Sequence, residues 1–335
     1  MYDNIMLFVF GLILLIKGGD WFVDSATGIA KRFRIPEIII GATIVSIGTT
    51  LPEVMVSATS AVSGHGEIAY GNAIGSIICN TALIAAITIA VKPAKVDRKT
   101  LVMPIIFFFV AAIIYTFVSY VVGEFSRVVG IVLLAIFVAY MAVLVVQAVK
   151  SSKKEMSQSA EIDLDKDEVE TQEEPKSKIS MLKDVLFLVI GAALIALGAD
   201  LLVDNGTIIA EGLGVPESVI ALTFVALGTS LPELVTAITS LAKGHASLSL
   251  GNIIGANLFN LVLVSGLSMT IAPFSVPASK MIAEINASLL VDIPVMLVVM
   301  LMLTLPALIK GKLSRWQGIT LLAIYAAFCV VQFVV

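Results

Sequence analysis

The sequence predicts an all-α integral membrane protein in which ten transmembrane helices form two five-helix repeats of inverted topology. Three observations support this fold class: the composition, a series of long apolar stretches, and the similarity of the two halves. The 335 residues are 59% hydrophobic and only 14% charged, with a mean hydropathy of +1.04. This composition lies far outside the range of soluble globular domains, so we expect the lipid bilayer as the chain's surroundings.

The apolar stretches are long enough to cross a bilayer, which requires roughly 20 consecutive apolar residues in a helix. We find ten of them, and they leave little chain for a soluble domain. In order along the chain they are residues 4–24, 36–62, 67–91, 101–122, 128–149, 181–203, 216–242, 247–272, 285–308 and 316–335.

The basic residues orient these spans, because Lys and Arg concentrate in the cytoplasmic loops of membrane proteins. One set of alternate loops holds 18 of the 21 Lys and Arg residues. The other set holds only Arg127 and Lys280, and Lys17 lies within a span. We therefore expect a multi-pass protein of the cell membrane, with both termini outside and the central loop in the cytoplasm.

The central loop, residues 150–180, is rich in Glu, Asp, Lys and Ser and has too little apolar surface to fold alone. It is predicted to be a disordered, acidic cytoplasmic linker. It separates the first five-helix repeat, residues 1–149, from the second, residues 181–335. The net charge of −4 comes largely from this loop, so the charge does not indicate nucleic-acid binding.

The two halves are related by an internal repeat. A shift of 180 residues aligns residues 18–80 with residues 198–260 without a gap, and 26 of the 63 aligned pairs are identical. Because each half contains five spans, the second copy enters the membrane from the opposite side. Inverted repeats are typical of alternating-access transporters, since two halves that exchange conformations produce inward-open and outward-open states.

Two acidic residues, Glu53 and Glu233, lie midway along spans two and seven at equivalent positions of the repeat. An ionisable residue at this depth costs roughly 2.5–3.5 kcal/mol on insertion scales, which makes it a candidate functional residue. The structural alternative is a carboxylate neutralised by a basic partner. No Lys or Arg lies at matching depth in either half, so the sequence favours a functional role.

A proline precedes each of these glutamates. Because Pro52 and Pro232 lack an N–H, carbonyl oxygens near Thr49 and Thr229 are expected to be free of helical hydrogen bonds. Free carbonyls at membrane depth are tolerated where they are buried in protein or line a wet cavity, and there they coordinate cations. A single proline could be a simple kink, whereas two at equivalent positions beside glutamates indicate a shared role.

Spans three and eight add amide and hydroxyl oxygens. Asn80 and Asn260 are equivalent in the repeat, and Ser76 shares a helical face with Asn80. For the two asparagines, both ion ligation and interhelical hydrogen bonding are open. A site of carboxylate, amide, hydroxyl and carbonyl oxygens, without thiol or imidazole, suits a hard cation, calcium above all.

The charge of this site predicts exchange. Two glutamates are neutralised by one divalent ion or by two monovalent ions, whereas the empty site would carry two unpaired buried charges. The spans contain neither a nucleophile paired with a base nor a cluster of metal-ligating residues, so we do not expect an enzyme.

With these motifs, the sequence resembles the sodium/calcium exchangers of the cation/calcium exchanger superfamily, whose repeats carry Gly-Thr-Ser-x-Pro-Glu-like and Gly-x-x-Gly-Ser-like signatures. The resemblance covers nearly the whole chain and is to the simple prokaryotic members. It implies a core of spans two, three, seven and eight, across which spans one and six slide. It also implies that Glu53 and Glu233 bind calcium and sodium, that Thr49 and Thr229 offer carbonyls to calcium, and that the sodium sites are lined by Ser46, Thr50, Ser76, Asn80, Ala226 and Ser230. We expect no cofactor, calcium and sodium as the transported ions, and a functional monomer.

The chain departs from this family at two positions. Prokaryotic members often carry Asp in place of Asn260 and Ser in place of Ala256, so the number of sodium ions and the coupling ion itself stay open. Proton/calcium exchange on the same fold is one alternative. A passive cation channel is another, although channels usually draw on rings of subunits. Asp292, in span nine, is predicted to be a peripheral hydrogen-bonded residue rather than a proton carrier.

Overall fold

The computed structural model describes residues 2–93, 95–163, 178–213, 228–278, 281–282 and 284–334, and these residues are almost entirely helical. The helices are α1 (Tyr2–Phe33), α2 (Glu37–Val62), α3 (Gly66–Val91), α4 (Arg98–Val122), α5 (Arg127–Asp163), α6 (Lys178–Gly212), α7 (Leu231–Ala242), α8 (Ala246–Ile271), α9 (Ser288–Lys310) and α10 (Arg315–Val334). Two antiparallel strand pairs lie in the loops, β1 (Glu124–Phe125) with β2 (Phe274–Ser275) and β3 (Met281–Ile282) with β4 (Ile285–Asn286).

The helices of the described residues have the length and composition of membrane spans. Eight of them, all except α7 and α10, are long and apolar enough to cross a bilayer. Helix α10 has 20 residues, which corresponds to about 30 Å. The described part of α7 has 12 residues, and residues 214–227 before it lie outside the described residues. This confirms the all-α membrane fold and is consistent with the ten predicted spans.

Equivalent glycines make the tight turns between α2 and α3 and between α7 and α8. Gly64 has a φ of +80° and Gly244 a φ of +85°. This left-handed backbone is costly for residues with a Cβ atom but not for glycine, which therefore ends both helices sharply. As a result, α2 and α3 form an antiparallel pair, and so do α7 and α8.

Burial separates central from peripheral helices. Burial is compared over the most apolar 18-residue stretch of each helix. In α8 and α3, 83% and 72% of this stretch is buried, compared with 28% in α1 and 22% in α6. Helices α2 and α7 pack against α3 and α8. The centre of the molecule is therefore α2, α3, α7 and α8, as the family resemblance implied.

The flanking helices pack on this centre through backbone contacts at glycines. A Cβ atom on Gly130 of α5 would lie 2.7 Å from the carbonyl oxygen of Gly266 in α8. One on Gly318 of α10 would lie 2.6 Å from the carbonyl oxygen of Ala86 in α3. The fifth helix of each repeat thus packs against the third helix of the other.

Helices α1 and α6 form a close antiparallel pair. Gly11 faces Gly198, and Gly18 faces Gly191, with carbonyl oxygens so near that an added Cβ atom would lie 2.7–2.9 Å away. The repeat makes Gly11 equivalent to Gly191 and Gly18 equivalent to Gly198. The repeat therefore relates the two contacts to each other, which agrees with a pseudo-two-fold axis between the two helices.

The acidic linker differs from the expectation in its first part. Helix α5 does not end near residue 149 but continues to Asp163. Residues 150–163 contain neither Gly nor Pro and include good helix formers such as Lys, Glu, Gln and Ala, so nothing in the sequence stops the helix. The predicted disorder was wrong for this stretch, and residues 164–177 lie outside the described residues.

Candidate functional site

Glu53 of α2 and Glu233 of α7 lie together in the interior. Both side chains are 0% exposed. Thr50, one turn before Glu53, donates a hydrogen bond to Glu233 Oε1 at 3.5 Å, and the two carboxylates are close enough for their charges to interact. The two repeats therefore bring their acidic residues to one buried site, and neither residue faces lipid.

The carboxylate oxygens are largely without partners. Within the described residues, both oxygens of Glu53 and Oε2 of Glu233 accept no hydrogen bond. Over the same residues, the salt bridges of the protein involve other acidic groups, so no Lys or Arg neutralises this pair. Burying ionised carboxylates without partners is strongly unfavourable, so these oxygens are suited to bind a cation.

The glutamates differ in their local backbone. Helix α2 runs without interruption through Pro52, whereas α7 begins at Leu231 and has Pro232 and Glu233 in its first turn. Proline is well tolerated in a first turn, because the N–H groups there have no helical partner. Glu233 consequently lies at the positive end of a helix dipole and Glu53 does not. The two prolines, although equivalent in the repeat, therefore lie at different positions of their helices.

Asn80 and Asn260 are also at the centre. Both are 0% exposed, and neither amide group has a hydrogen-bond partner within the part of the chain that the structure describes. Each begins a π-helical turn, Asn80–Ala85 in α3 and Asn260–Val264 in α8. The first turn packs on α7 and the second on α2, so each asparagine lies beside the helix that carries the other repeat's glutamate. Turns of this kind are frequent at functional sites.

Asn252 of α8 binds hydroxyl groups of α2. Thr49 donates to Asn252 Oδ1 at 3.2 Å, and the single hydroxyl proton of Ser46 is shared among the Gly41 carbonyl at 2.8 Å, the Asn252 backbone oxygen at 3.0 Å and Asn252 Oδ1 at 3.2 Å. These two hydroxyl protons therefore hold the repeats together. The backbone carbonyl of Thr49, which is the atom the resemblance assigns to calcium, does not take part in these bonds.

Asn72 of α3 makes the equivalent connection in the other direction. Its Oδ1 accepts a hydrogen bond from Thr229 at 3.3 Å. Its Nδ2 donates to Ser57 Oγ at 2.8 Å and to the backbone oxygen of Glu53 at 3.1 Å. Sequence reasoning did not assign a role to Asn72 or Asn252. The sequence feature that could have indicated such a role is the Gly-Asn pair that both repeats share.

The remaining predicted residues fall in several places. Ser76 is buried and faces Glu53, and Ser230 is buried with a hydroxyl that has no partner among the described residues. Ala226 lies outside the described residues. Asp292 accepts a hydrogen bond from Gln332 at 2.7 Å on the peripheral helices α9 and α10, in agreement with its predicted role.

A cavity of about 810 Å³ lies between α6 and α2, beside the site. Most of its lining is apolar, and it reaches Thr229 and Pro232. Asp200 and Asp204 are its charged residues. Its apolar lining identifies it as a gap between helices rather than as an ion site. It lies beside α6, whereas α1 packs directly on α7, where a Cβ atom on Gly19 would lie 2.7 Å from Val235.

Comparison with known proteins gives a family match over most of the chain. A family model described as sodium/calcium exchanger protein matches residues 4–146 and 183–334. The chain is 32% identical to the sodium/calcium exchanger MaX1 of Methanosarcina acetivorans, with 98% of each chain covered. It is 34% identical to a membrane protein of Methanocaldococcus jannaschii, with 95% of this chain and 94% of the relative covered.

A solved structure has the same fold. The sodium-calcium exchanger NCX_Mj, soaked with 2.5 mM Na⁺ and 10 mM Sr²⁺, superimposes with a TM-score of 0.76 at 31% sequence identity. The superposition covers 97% of each chain.

Proposed function

The chain belongs to the sodium/calcium exchanger family, and we propose that it is a secondary active antiporter that exchanges sodium for calcium by alternating access. One observation carries this proposal beyond the family match. Glu53 and Glu233 come from opposite repeats, are fully buried, and lack basic partners among the described residues. A membrane protein keeps such a pair only where cations neutralise it.

The same pair explains why transport would be obligatory exchange. One Ca²⁺ or two Na⁺ ions balance the two negative charges, whereas the empty site leaves both uncompensated. An occluded empty site would bury two like charges in a medium of low dielectric constant, which costs several kcal/mol per ion. The protein would therefore change between its inward-open and outward-open states readily with either ion bound and slowly when the site is empty.

We propose that the ligands combine the free oxygens of both repeats. The carboxylates of Glu53 and Glu233 would bind calcium together with the carbonyls of Thr49 and Thr229, since six to eight oxygens suit this ion. Sodium would use the same carboxylates and the flanking polar groups. These flanking positions are Ser46, Thr50, Ser76, Asn80, Ala226, Ser230 and Asn260.

Alternating access would come from movement of the α1–α6 pair across the centre. Only 28% of the most apolar stretch of α1 and 22% of that of α6 is buried, and the interface between the two helices is closely packed through glycines. A tightly joined pair with a cavity between α6 and α2 can move as one unit. Its displacement would open the site to one side of the membrane and then to the other.

We further propose that the chain functions as a monomer in the cell membrane, with two repeat domains (1–149 and 181–335) and a cytoplasmic linker (150–180). Both termini would face outside. The distribution of basic residues supports this orientation. Single cysteines at Ser63 and Ser314, in a variant without Cys79 and Cys329, test it with a membrane-impermeant thiol reagent. Labelling of Ser63→Cys from outside intact cells, and of Ser314→Cys only after lysis, is expected.

Calcium uptake by proteoliposomes tests the exchange itself. Liposomes loaded with sodium should accumulate calcium when sodium is absent outside, at the same pH on both sides. Uptake driven equally well by a proton gradient without sodium would favour proton/calcium exchange. Uptake that persists without any counter-ion gradient would favour a passive channel. Either result would contradict sodium-coupled antiport.

A further inference from the structure

Two loops at one end of the molecule are joined into a single surface, which we call the basic elbow. Their described residues are 92–93 and 95–97, between α3 and α4, and 311–314, between α9 and α10. Lys95 and Lys312 form an antiparallel bridge, and the Val96 N–H donates to the Gly311 carbonyl at 2.9 Å. Arg315 donates to the carbonyl of Ala90 at 2.8 Å. These bonds hold the two loops together.

The basic elbow concentrates positive charge. Seven basic side chains lie in or beside the two loops, and all are exposed: Lys92, Lys95, Arg98, Lys99, Lys310, Lys312 and Arg315. The one acidic residue among them is Asp97, whose carboxylate accepts a hydrogen bond from the Lys99 backbone N–H. In the described residues, no salt bridge involves any of the seven. Like charges on one surface repel each other, and a bound anion relieves this repulsion.

A cavity opens at this surface. It measures about 390 Å³, and Lys310, Lys312 and Ser314 line it together with the apolar residues Met302 and Pro306. Gln317 completes the wall, and its amide is already bonded within the protein. The cavity therefore offers two ammonium groups and a hydroxyl at one end and hydrocarbon at the other.

The surrounding residues place the cavity at the boundary between lipid tails and headgroups. Trp316, beside Arg315, is 78% exposed, and the indole of tryptophan prefers this boundary. Leu305 and Ile309 of α9 are 50% and 61% exposed and continue the apolar surface away from the basic end. A soluble anion would use the charged end alone, whereas a phospholipid fits both ends.

We propose that the basic elbow binds an anionic phospholipid. Its phosphodiester would lie between Lys310 and Lys312, and an acyl chain would follow Leu305 and Ile309 along α9. Basic pockets between membrane helices are known to bind anionic headgroups in this manner. The bound phospholipid would stabilise the packing of α9 and α10 against α3 and α4.

Trp316 makes the proposal directly measurable. The chain has two tryptophans, so Trp21→Phe leaves Trp316 as the sole reporter. The full-length Trp21→Phe protein is reconstituted in phosphatidylcholine that contains a small fraction of lipid brominated near the headgroup. Quenching of Trp316 by brominated phosphatidylglycerol is compared with quenching by brominated phosphatidylcholine. An association preference of about fivefold or more for the anionic lipid is expected, from the attraction of a few basic residues.

Charge-matched variants identify the site. Lys310→Gln with Lys312→Gln should bring the preference close to parity. Lys31→Gln with Lys183→Gln removes the same charge from the exposed basic residues of α1 and α6 and should leave the preference intact. Equal quenching by the two lipids, or a preference that the first pair of substitutions does not reduce, would overturn the proposal.

Two other anions are distinguished by the same assay. Inorganic phosphate in the millimolar range should not displace the brominated phosphatidylglycerol, and displacement would show a soluble-anion site instead. The acidic linker is the second source of anions, and four of its nine acidic residues are neutralised in a variant with Asp163, Asp165, Asp167 and Glu168 changed to Asn or Gln. A lipid preference that exists only in this variant would mean that the linker occupies the surface. Because binding is measured without transport, these outcomes are independent of the exchange proposal.

Discussion

Asn72 of the first repeat accepts a hydrogen bond from Thr229 of the second, with 3.3 Å between Thr229 Oγ1 and Asn72 Oδ1. The repeat-related bond also exists, because Asn252 Oδ1 accepts from Thr49 Oγ1 at 3.2 Å. The Thr49 bond joins α2 to α8, and the Thr229 bond joins the turn before α7 to α3. The two bonds therefore fix the four central helices around the buried carboxylates.

Removal of either bond should weaken the centre. Thr49→Val and Thr229→Val keep the backbone carbonyls proposed to bind calcium but remove the hydroxyl donors. Each change should cost about 1 kcal/mol of stability, because it leaves an asparagine oxygen short of a partner. The measurement is thermal unfolding of the purified protein in detergent. Thr59→Val is the control, since this exposed threonine bonds only to its own helix. Equal unfolding temperatures for all three variants would contradict the structural role.

The glycine contacts of the α1–α6 pair should be sensitive to one added methyl group. In Gly18→Ala, the new Cβ atom would lie 2.9 Å from the backbone oxygen of Gly191, so the helices must move apart. Overpacking of this kind costs about 1–3 kcal/mol and should also slow transport. Gly28→Ala, on the same helix, places its Cβ atom at an ordinary 3.5 Å from Asp184 and should be tolerated. Calcium flux that is identical in the two variants would show that the close pairing is unimportant.

An ion pair that is present on only one side of the membrane should favour one of the two open states of the transport cycle. Lys243, in the turn between α7 and α8, binds Asp24 at 2.7 Å and Asp20 at 3.2 Å on α1. Partial burial lowers the pKa of Lys243, but the hydrogen bonds to Asp24 and Asp20 outweigh it and leave the pKa raised. The ammonium group therefore stays charged through neutral pH. The repeat places Asp200 and Asp204 opposite Ser63, so the other side of the membrane lacks this contact.

The ion pairs of Lys243 link α1 to the turn between α7 and α8. Loss of these ion pairs should therefore favour opening of the site on that side of the membrane. Lys243→Ser should raise the apparent calcium affinity at this side by about two- to fivefold, the value of one partly exposed ion pair. Oriented vesicles that present one side or the other measure it. The double change Lys243→Ser with Ser63→Lys should reverse the bias, and the effects should hold between pH 6 and pH 8. Equal affinities in all variants would exclude a bias from this contact.

Asn260→Asp should alter the sodium dependence of exchange. The change places a third carboxylate among oxygens that already lack partners, so the site would need more positive charge or a bound proton. We expect steeper sodium dependence, or new inhibition at low pH, with calcium binding retained. The activation of calcium flux by sodium, measured at several pH values, tests this. Asn257→Asp is the control, because the Asn257 amide bonds to Thr81 rather than to the site. The same change in both variants would argue against a special role for residue 260.

Charge and symmetry were enough to predict from the sequence that the two glutamates lie together, while their role as ion ligands stays a prediction. Buried glutamates at equivalent positions have few explanations in a membrane protein, and the structure brings Glu53 and Glu233 together. The roles of Asn72 and Asn252 were not predictable, because a Gly-Asn pair in a helix does not reveal which side chain it faces. The different helix geometry at Pro52 and Pro232 could not be predicted either, since both repeats carry the same Leu-Pro-Glu sequence there.

Calcium flux in glutamine variants tests the central claim most directly. Radiolabelled calcium uptake into sodium-loaded proteoliposomes is compared between the native protein, Glu53→Gln and Glu233→Gln. Glutamine keeps the size of the side chain and removes the charge that the ions neutralise. Sodium-driven uptake should fall to the level of protein-free liposomes in both variants while both still fold. Native rates of uptake in either variant would contradict a shared carboxylate site.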